Sequence, residues 1–496
     1  MKKSCALILC VIIFLSMFPL TVYALSTEQA KTIQQLTDDA VRASGTPGIS
    51  VAVISDGQTS YYNSGHTSVN SPSLVDEHTL YEIGSLSKAF TAAGILLLEE
   101  QGLLSAADRI EDYLPWFHVT YQNETAVVTI KNLLNQTSGF TLRHSGAPRG
   151  EGEDMLRKTV EPLLGAALDF APGTSYAYSN ANFNILGLII ETVSGQSYEQ
   201  FMTEQVFEPL GLHETFLYHS DAAATGRMAQ GHRLAFFTTF AYDLPAYGGM
   251  KPAGFIISSP HDMARWAGIH LGIVQDIPEI FLRVVENAHQ ADINGPSIED
   301  NDYYSAGWSI NTDSDILSHD GQTPSFKSYL VLFAEQKQGI VVLANGWSVN
   351  DEGLTEGIYH ILDGGLQQQY AMGGRQLTDM INSVIIIFFS VSAIAELIIG
   401  IRNRIKCKPL LTKNKIIMMS VCALGTIVTL ARLLTSPNDL GAGWTFIFDW
   451  NPPSGTMIQF VLPIAFAATT WYTYTQKPKK PSQKKPRTSG DSPAMR

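Results

Sequence analysis

Tyr81-Glu82-Ile83-Gly84-Ser85-Leu86-Ser87-Lys88-Ala89-Phe90 is the stretch on which the reading of this chain turns. Ser85 and Lys88 stand in S-x-x-K spacing at the head of a strongly apolar run, Ser87–Gln101, which Gly102 ends. The run reads as a helix with a glycine stop. Residues three apart share a helix face, so Lys88 can point its amine at the Ser85 hydroxyl. A serine hydroxyl is a poor nucleophile until a neighbouring base takes its proton, and a partly desolvated lysine can act as that base. The helix N-terminus adds a field that favours developing negative charge. Taken singly the tetrapeptide is weak evidence, because a capping serine and a surface lysine give the same spacing.

Two further signals lie downstream. Tyr176-Ala177-Tyr178-Ser179-Asn180-Ala181-Asn182 follows Ala171-Pro172-Gly173. A tyrosine two residues before an asparagine offers a phenol to a proton relay and an amide to orient a substrate. An ordinary polar loop has the same look. Ser318-His319-Asp320-Gly321-Gln322 precedes two late strands. A glycine there lets a substrate lie close against a strand edge, while a hairpin turn is the plainer account.

Around these motifs the chain alternates helical and strand signals. Thr27–Ala43 reads as a helix with a Ser/Thr cap. Gly48–Ile54 and Thr59–Ser64 read as a hairpin turning at Asp56-Gly57, and Tyr329–Phe333 and Gly339–Leu343 as two strands joined by the polar turn Glu335–Gln338. Early and late strands around a helical middle predict an α+β fold: one antiparallel sheet covered by helices, plus a helical domain. Residues 27–365 read as one domain, without an internal repeat.

S-x-x-K, Y-x-N and H-x-G in this order resemble the serine β-lactamase and penicillin-binding-protein superfamily, in its class C-like branch of esterases, D-aminopeptidases and β-lactamase-related peptidases. The flanking text Ile130-Lys131-Asn132-Leu133-Leu134-Asn135-Gln136-Thr137-Ser138-Gly139 and Gly339-Ile340-Val341-Val342-Leu343-Ala344-Asn345 shares in the likeness, which covers about residues 29–350. The resemblance implies a β-lactamase/transpeptidase-like fold and an acyl-enzyme mechanism. It implies Ser85 as nucleophile, Lys88 and Tyr178 sharing the acid and base work, and the backbone N–H groups of Ser85 and Gln322 as oxyanion hole. Asn180, His319 and Gly321 would line the substrate. It implies no cofactor.

The third motif departs from the pattern. Penicillin-cleaving members carry Lys-Thr-Gly or Lys-Ser-Gly there, whereas this chain reads His319-Asp320-Gly321. A neutral histidine beside an aspartate is a poor partner for a substrate carboxylate, since like charges repel. Cleavage of an amide or ester with a neutral or amine-bearing end fits better, and a D-amino-acid-containing peptide or acyl prodrug is the implied substrate class. A non-hydrolytic penicillin-binding-like membrane protein and a true class C-like β-lactamase are the alternatives.

Farther out, composition sorts the chain into environments. It has 496 residues, a net charge of −13 and only 16% charged residues, against about 25% in soluble proteins. A 45% apolar share excludes wholesale disorder. Residues 26–375 hold 17 basic and 41 acidic residues and no cysteine, which excludes a disulfide framework there and argues against a nucleic-acid partner. The 12 histidines show no H-E-x-x-H spacing, so no metal is expected.

Lys2-Lys3, the apolar run Ala6–Leu20 and Val22-Tyr23-Ala24 read as a signal peptide over 1–24. Ile381–Ile401, Ile416–Thr435 and Met457–Thr475 each approach the length that crosses a ~30 Å hydrocarbon core, predicting three transmembrane helices over 379–475. Arg402, Arg404, Lys406, Lys408, Lys413 and Lys415 mark a cytoplasmic loop, and the lysine-rich stretch 476–496 a cytoplasmic tail. The hydrolase domain is then expected outside the cell membrane, held to the bilayer by the spans. Trp444, Phe446, Phe448 and Trp450 read as interfacial aromatics, and Glu396 and Arg432 as snorkelling charges.

Overall fold

The structure is a computed structural model and describes residues 25–365, 369–406, 411–439 and 444–476. The expected signal peptide and basic tail lie outside the described residues. The chain divides into two compact units: one holds the described residues up to Ile381 together with Ser436–Pro453, the other Asn382–Thr435 and the residues from Ser454 onward.

The first unit is built on an antiparallel sheet. Its strands are β1 (Gly48–Ser55), β2 (Gln58–Gly65), β3 (Asp302–Ser305), β4 (Trp308–Asn311), β5 (Ile316–Gln322), β6 (Lys327–Phe333) and β7 (Gln338–Ala344), in spatial order β2-β1-β7-β6-β5-β4-β3. The two ends of the domain meet at the β1–β7 pair, where Val51 faces Val342 and Val53 faces Ile340. Every residue of β1 is buried, because both faces of the sheet are covered. Alternate side chains on a strand point to opposite faces. Val51, Val53, Ile340 and Val342 pack under the helices Thr27–Ser44 and Asp351–Leu362, while Ala52, Ile54, Val341 and Leu343 join the larger core of the helical middle. The N-terminal helix begins in a reciprocal Ser26/Gln29 capping box and ends at Gly45 in the left-handed conformation.

The expected elements are present, with one change of kind. Ser318–Gln322 does not make a turn; it lies in strand β5, and the turn comes after it. β5 pairs with β6 over its full length but with β4 only through Ile316–Ser318, so His319–Gln322 runs past the end of β4. That projecting segment borders the serine.

In the second unit, among the described residues, two helices are long and apolar enough to cross a membrane, Gly374–Ile405 (whose first residues belong to the first unit) and Lys413–Thr435. This corrects the expectation of three. Pro453–Thr475 is a helix of 23 residues, but threonines and tyrosines dilute it. The reason is its position in the unit. Ala465 and Ala468 are buried against Ala393 and Phe389, Gly425 makes room for Phe466, and Gly400 for Trp471. A helix that faces other helices carries small and polar residues where a lipid-facing one carries aliphatic ones. Glu396, expected to snorkel, accepts a hydrogen bond from Thr469 Oγ1 at 2.7 Å within this unit. Trp450, expected as an interfacial aromatic, packs its ring on Tyr247 and Phe255 of the first unit. The side chains of Trp444 and Phe446 lie outside the described residues.

Candidate active site

Ser85 sits on a tight 3-10 turn, Gly84–Leu86, that leads into the helix Ser87–Glu100. Gly84 has φ +53°, and a Cβ on it would lie 2.1 Å from the amide nitrogen of Gln322. Only glycine lets the turn press this closely on the end of β5. Ser87 Oγ closes the turn by donating to Gly84 O at 2.7 Å and accepts from Ile256 N at 3.1 Å. The serine is thereby held between strand β5 and the segment 250–256.

Around Ser85 the expected residues converge. Lys88 Nζ lies 3.0 Å from Ser85 Oγ, 2.8 Å from Asn180 Oδ1 and 2.6 Å from Ala253 O. Tyr178 donates its O–H to Ser85 Oγ at 2.7 Å, and its ring centroid is 4.8 Å from Lys88 Nζ. Asn180 is the first residue of the helix Asn180–Ser194, capped by Ser179, and its backbone N–H donates to Ser145 Oγ at 3.0 Å. The Gln322 backbone nitrogen borders the Ser85 turn at Gly84.

Burial sets the charge states. Lys88 is fully buried, and desolvation holds its amine well below the ordinary lysine range, with Asp320 pulling weakly the other way. Desolvation pushes the Tyr178 phenol well above its ordinary range, opposed by the hydrogen bond to Ser85. The base candidate is thus shifted toward neutral amine and the acid candidate stays protonated, which separates the two roles.

His319 is also buried, and desolvation lowers its pKa. Its Nδ1 meets the Asp320 carbonyl, which can only accept, so Nδ1 carries the proton. Nε2 then accepts from the Tyr304 hydroxyl at 2.9 Å. Both nitrogens of His319 are committed inside the protein, and its ring lies 6.1 Å from that of Tyr178. Gly321 was expected to give clearance to a substrate. The structure assigns that clearance to the chain itself: a Cβ there would lie 2.0 Å from Ser328 Oγ and 2.2 Å from Ile83 O, and those two atoms are hydrogen bonded at 2.8 Å. Gly321→Ala is therefore expected to destabilise the fold by about 1–3 kcal/mol, the usual cost of overpacking. Differential scanning fluorimetry reads this as a lowered melting midpoint; an unchanged midpoint would show that Ile83 and Ser328 yield freely.

Tyr304 and the Ala253 carbonyl were not legible in the sequence. Tyr304 is one of two adjacent tyrosines in an unremarkable strand, and a main-chain carbonyl has no sequence signature. A cleft of about 230 Å³ is lined by Tyr176, Tyr178, Tyr304, His319 and Asp320. A larger cavity of about 620 Å³ is walled in part by Tyr242, Tyr247, Lys251 and Phe255 and includes none of the three central residues. Away from the site, His78, Glu214 and His261 bring ligand-type atoms within 4.8 Å of one another. Glu214 is already engaged there by Arg227 and Ser259, and its carboxyl is held below the ordinary range against desolvation.

The chain is similar to Protein flp of Staphylococcus aureus (strain MW2), 27% identical over 449 residues, covering 86% of this chain and 87% of that protein. It is similar to Penicillin-binding protein 4* of Bacillus subtilis (strain 168), 28% identical over 317 residues, covering 58% of this chain and 66% of that protein. Among solved structures it shares its fold with the octameric penicillin-binding protein homologue from Pyrococcus abyssi, at TM-score 0.60 and 22% identity over 69% of this chain and 79% of that one. It also shares it with D-alanine carboxypeptidase AmpC from Burkholderia cenocepacia, at TM-score 0.55 and 22% identity over 68% of this chain and 99% of that one. Residues 31–363 match the Beta-lactamase family, a span that takes in all the strands of the sheet and Ser85, and the chain belongs to that family.

Proposed function

We propose that the protein is a membrane-anchored serine hydrolase that cleaves an amide or ester, with a D-amino-acid-containing peptide or acyl prodrug as its substrate class. The observation that carries the reading is Ser85 Oγ bracketed by Lys88 Nζ at 3.0 Å and Tyr178 OH at 2.7 Å. A neutral amine has two N–H donors and one lone pair. Asn180 Oδ1 and Ala253 O can only accept, so they take the two N–H bonds and leave the lone pair facing the Ser85 hydroxyl.

In this mechanism Lys88 takes the Ser85 proton as Oγ attacks the carbonyl carbon. The tetrahedral oxygen is received by the N–H groups of Ser85 and Gln322, where one donor is worth ~3 kcal/mol. Tyr178 gives its proton to the leaving nitrogen or oxygen and regains one from the Lys88 ammonium. Water then hydrolyses the acyl-enzyme over the same groups in reverse.

The third motif supports the substrate class. His319 is held as a neutral ring, and Lys327 on the neighbouring strand is committed to Asp351 at 2.7 Å. Neither is offered to a substrate carboxylate. The placement outside the membrane is supported by the basic residues Arg402 and Arg404 at the end of the first apolar helix and Lys413 and Lys415 at the start of the second, and by the packing of residues 447–451 into the hydrolase unit from beyond the second of them.

The test is a substrate panel on the full-length protein: nitrocefin, p-nitrophenyl esters, D-amino-acid amides and N-acyl-D-asparagine peptides. Amides or esters are expected to exceed nitrocefin in kcat/KM by at least ~10-fold, the step that 1.4 kcal/mol of transition-state binding makes. Preferred hydrolysis of nitrocefin would sink the substrate assignment and favour a β-lactamase.

A further inference from the structure

Asp449 lies well outside the residues that match the family, in the stretch between the last two long helices of the chain. Yet it is only 2% exposed and belongs to the compact unit that holds Ser85. Its carboxylate receives Arg149 Nε at 2.8 Å and Nη2 at 2.7 Å, the Tyr242 hydroxyl at 2.7 Å and the Tyr247 hydroxyl at 2.6 Å. Arg233 donates to the carbonyls of Phe448 and Asn451 on either side. The next residue, Trp450, sets its ring edge-on to Phe255 at 6.2 Å, and Phe255 in turn stacks on Tyr247 at 5.8 Å. Burying a carboxylate is costly unless every lone pair is met, and here the donors come from two separate segments.

Both segments end at the catalytic groups. The first runs from Arg149 back to Ser145, whose Oγ receives the Asn180 backbone N–H at 3.0 Å. The second runs from Tyr247 through the short helix Lys251–Gly254 to the Ala253 carbonyl, which receives Lys88 Nζ at 2.6 Å. The two are also laced together by Gly150 N to Ala246 O and Gly248 N to Gly150 O, each 2.8 Å. We propose that Asp449 is a positioning residue of the hydrolase site: by clamping the Arg149 and Tyr242–Phe255 segments from outside the family region, it holds the partners of Lys88 and Asn180 in register. Tyr242, Tyr247 and Phe255, which it and Trp450 fix, also wall the 620 Å³ cavity, so the same clamp shapes that space. The inference rests on the serine hydrolase reading.

The experiment uses the full-length protein and a fluorophosphonate probe, following the second-order rate of Ser85 acylation from acidic to alkaline pH, well below each variant's melting midpoint. Asp449→Asn is expected to slow acylation by ~10-fold or more, as a small misplacement of reacting groups does. It is also expected to move the acidic limb. Lys88 faces Ser85, Tyr178, Asn180 and the Ala253 carbonyl, with Asp320 and His319 acting on it through space. Loosening the Ala253 acceptor removes a partner of the ammonium form, so the limb shifts to lower pH. Tyr242→Phe deletes one donor while Arg149 still pairs the aspartate, which preserves folding; a smaller shift in the same direction is expected. Slower acylation with an unmoved limb, or wild-type behaviour in both variants, would overturn the proposal and reduce Asp449 to a packing contact. A wild-type protein that is not labelled at Ser85 would overturn the hydrolase reading, and this inference with it.

Discussion

Ser85→Ala is expected to abolish labelling by a fluorophosphonate and to lower kcat by at least ~10^4-fold, the scale seen when the nucleophile of a nucleophile–base pair is deleted. The change removes one oxygen from a partly exposed side chain and leaves the turn intact, because the turn is held by Ser87 Oγ on Gly84 O and by Gly84 against Gln322. The melting midpoint is therefore expected to stay close to that of the wild type. Intact-protein mass spectrometry and peptide mapping of the labelled wild type place the adduct on Ser85. Label that persists in the alanine variant would remove Ser85 from the chemistry and return the Ser85–Lys88 pair to a structural role.

Lys88→Met separates function from stability. The amine is fully buried, and burial already works against its charged form. Methionine fills similar volume without that desolvation, so the fold gains on this count. It also leaves Asn180 Oδ1 and Ala253 O without their donor, at about 1–3 kcal/mol for a buried unsatisfied group. These oppose each other, and the net change in stability is expected to be small. Activity behaves differently: loss of the base lowers turnover by about 10²–10⁴-fold. The pH profile of the wild type carries the same signature. An ammonium cannot accept the Ser85 proton, so kcat/KM falls as pH drops through the lowered Lys88 pKa. On the alkaline side the raised Tyr178 pKa keeps its proton available, so the plateau extends upward. A methionine variant that turns over substrate at the wild-type rate would transfer the base role to another group.

Much of this was legible in one dimension because it is local. Helix Thr27–Ser44 follows from a capping serine and a terminal glycine, and the Gly48–Gly65 hairpin from Asp56-Gly57 between two runs of strand formers. Ser85 and Lys88 are three residues apart, and one helical turn was enough to predict their contact. Of the three expected spans Pro453–Thr475 is the one whose threonines and tyrosines leave it less apolar than a spanning helix needs.

Strands β1, β2, β6 and β7, the capped N-terminal helix and the Ser85–Lys88 pair could be read from the chain, since each depends on residues within a turn or a strand of one another. The contacts that bring the remaining groups onto that pair belong to the tertiary structure. Tyr178 reaches Ser85 across 93 residues of chain and the Ala253 carbonyl reaches Lys88 across 165, while Asp449 reaches Arg149 across 300. Contacts at that range have no periodicity to betray them; they exist because burying the two faces of one sheet brings these segments together.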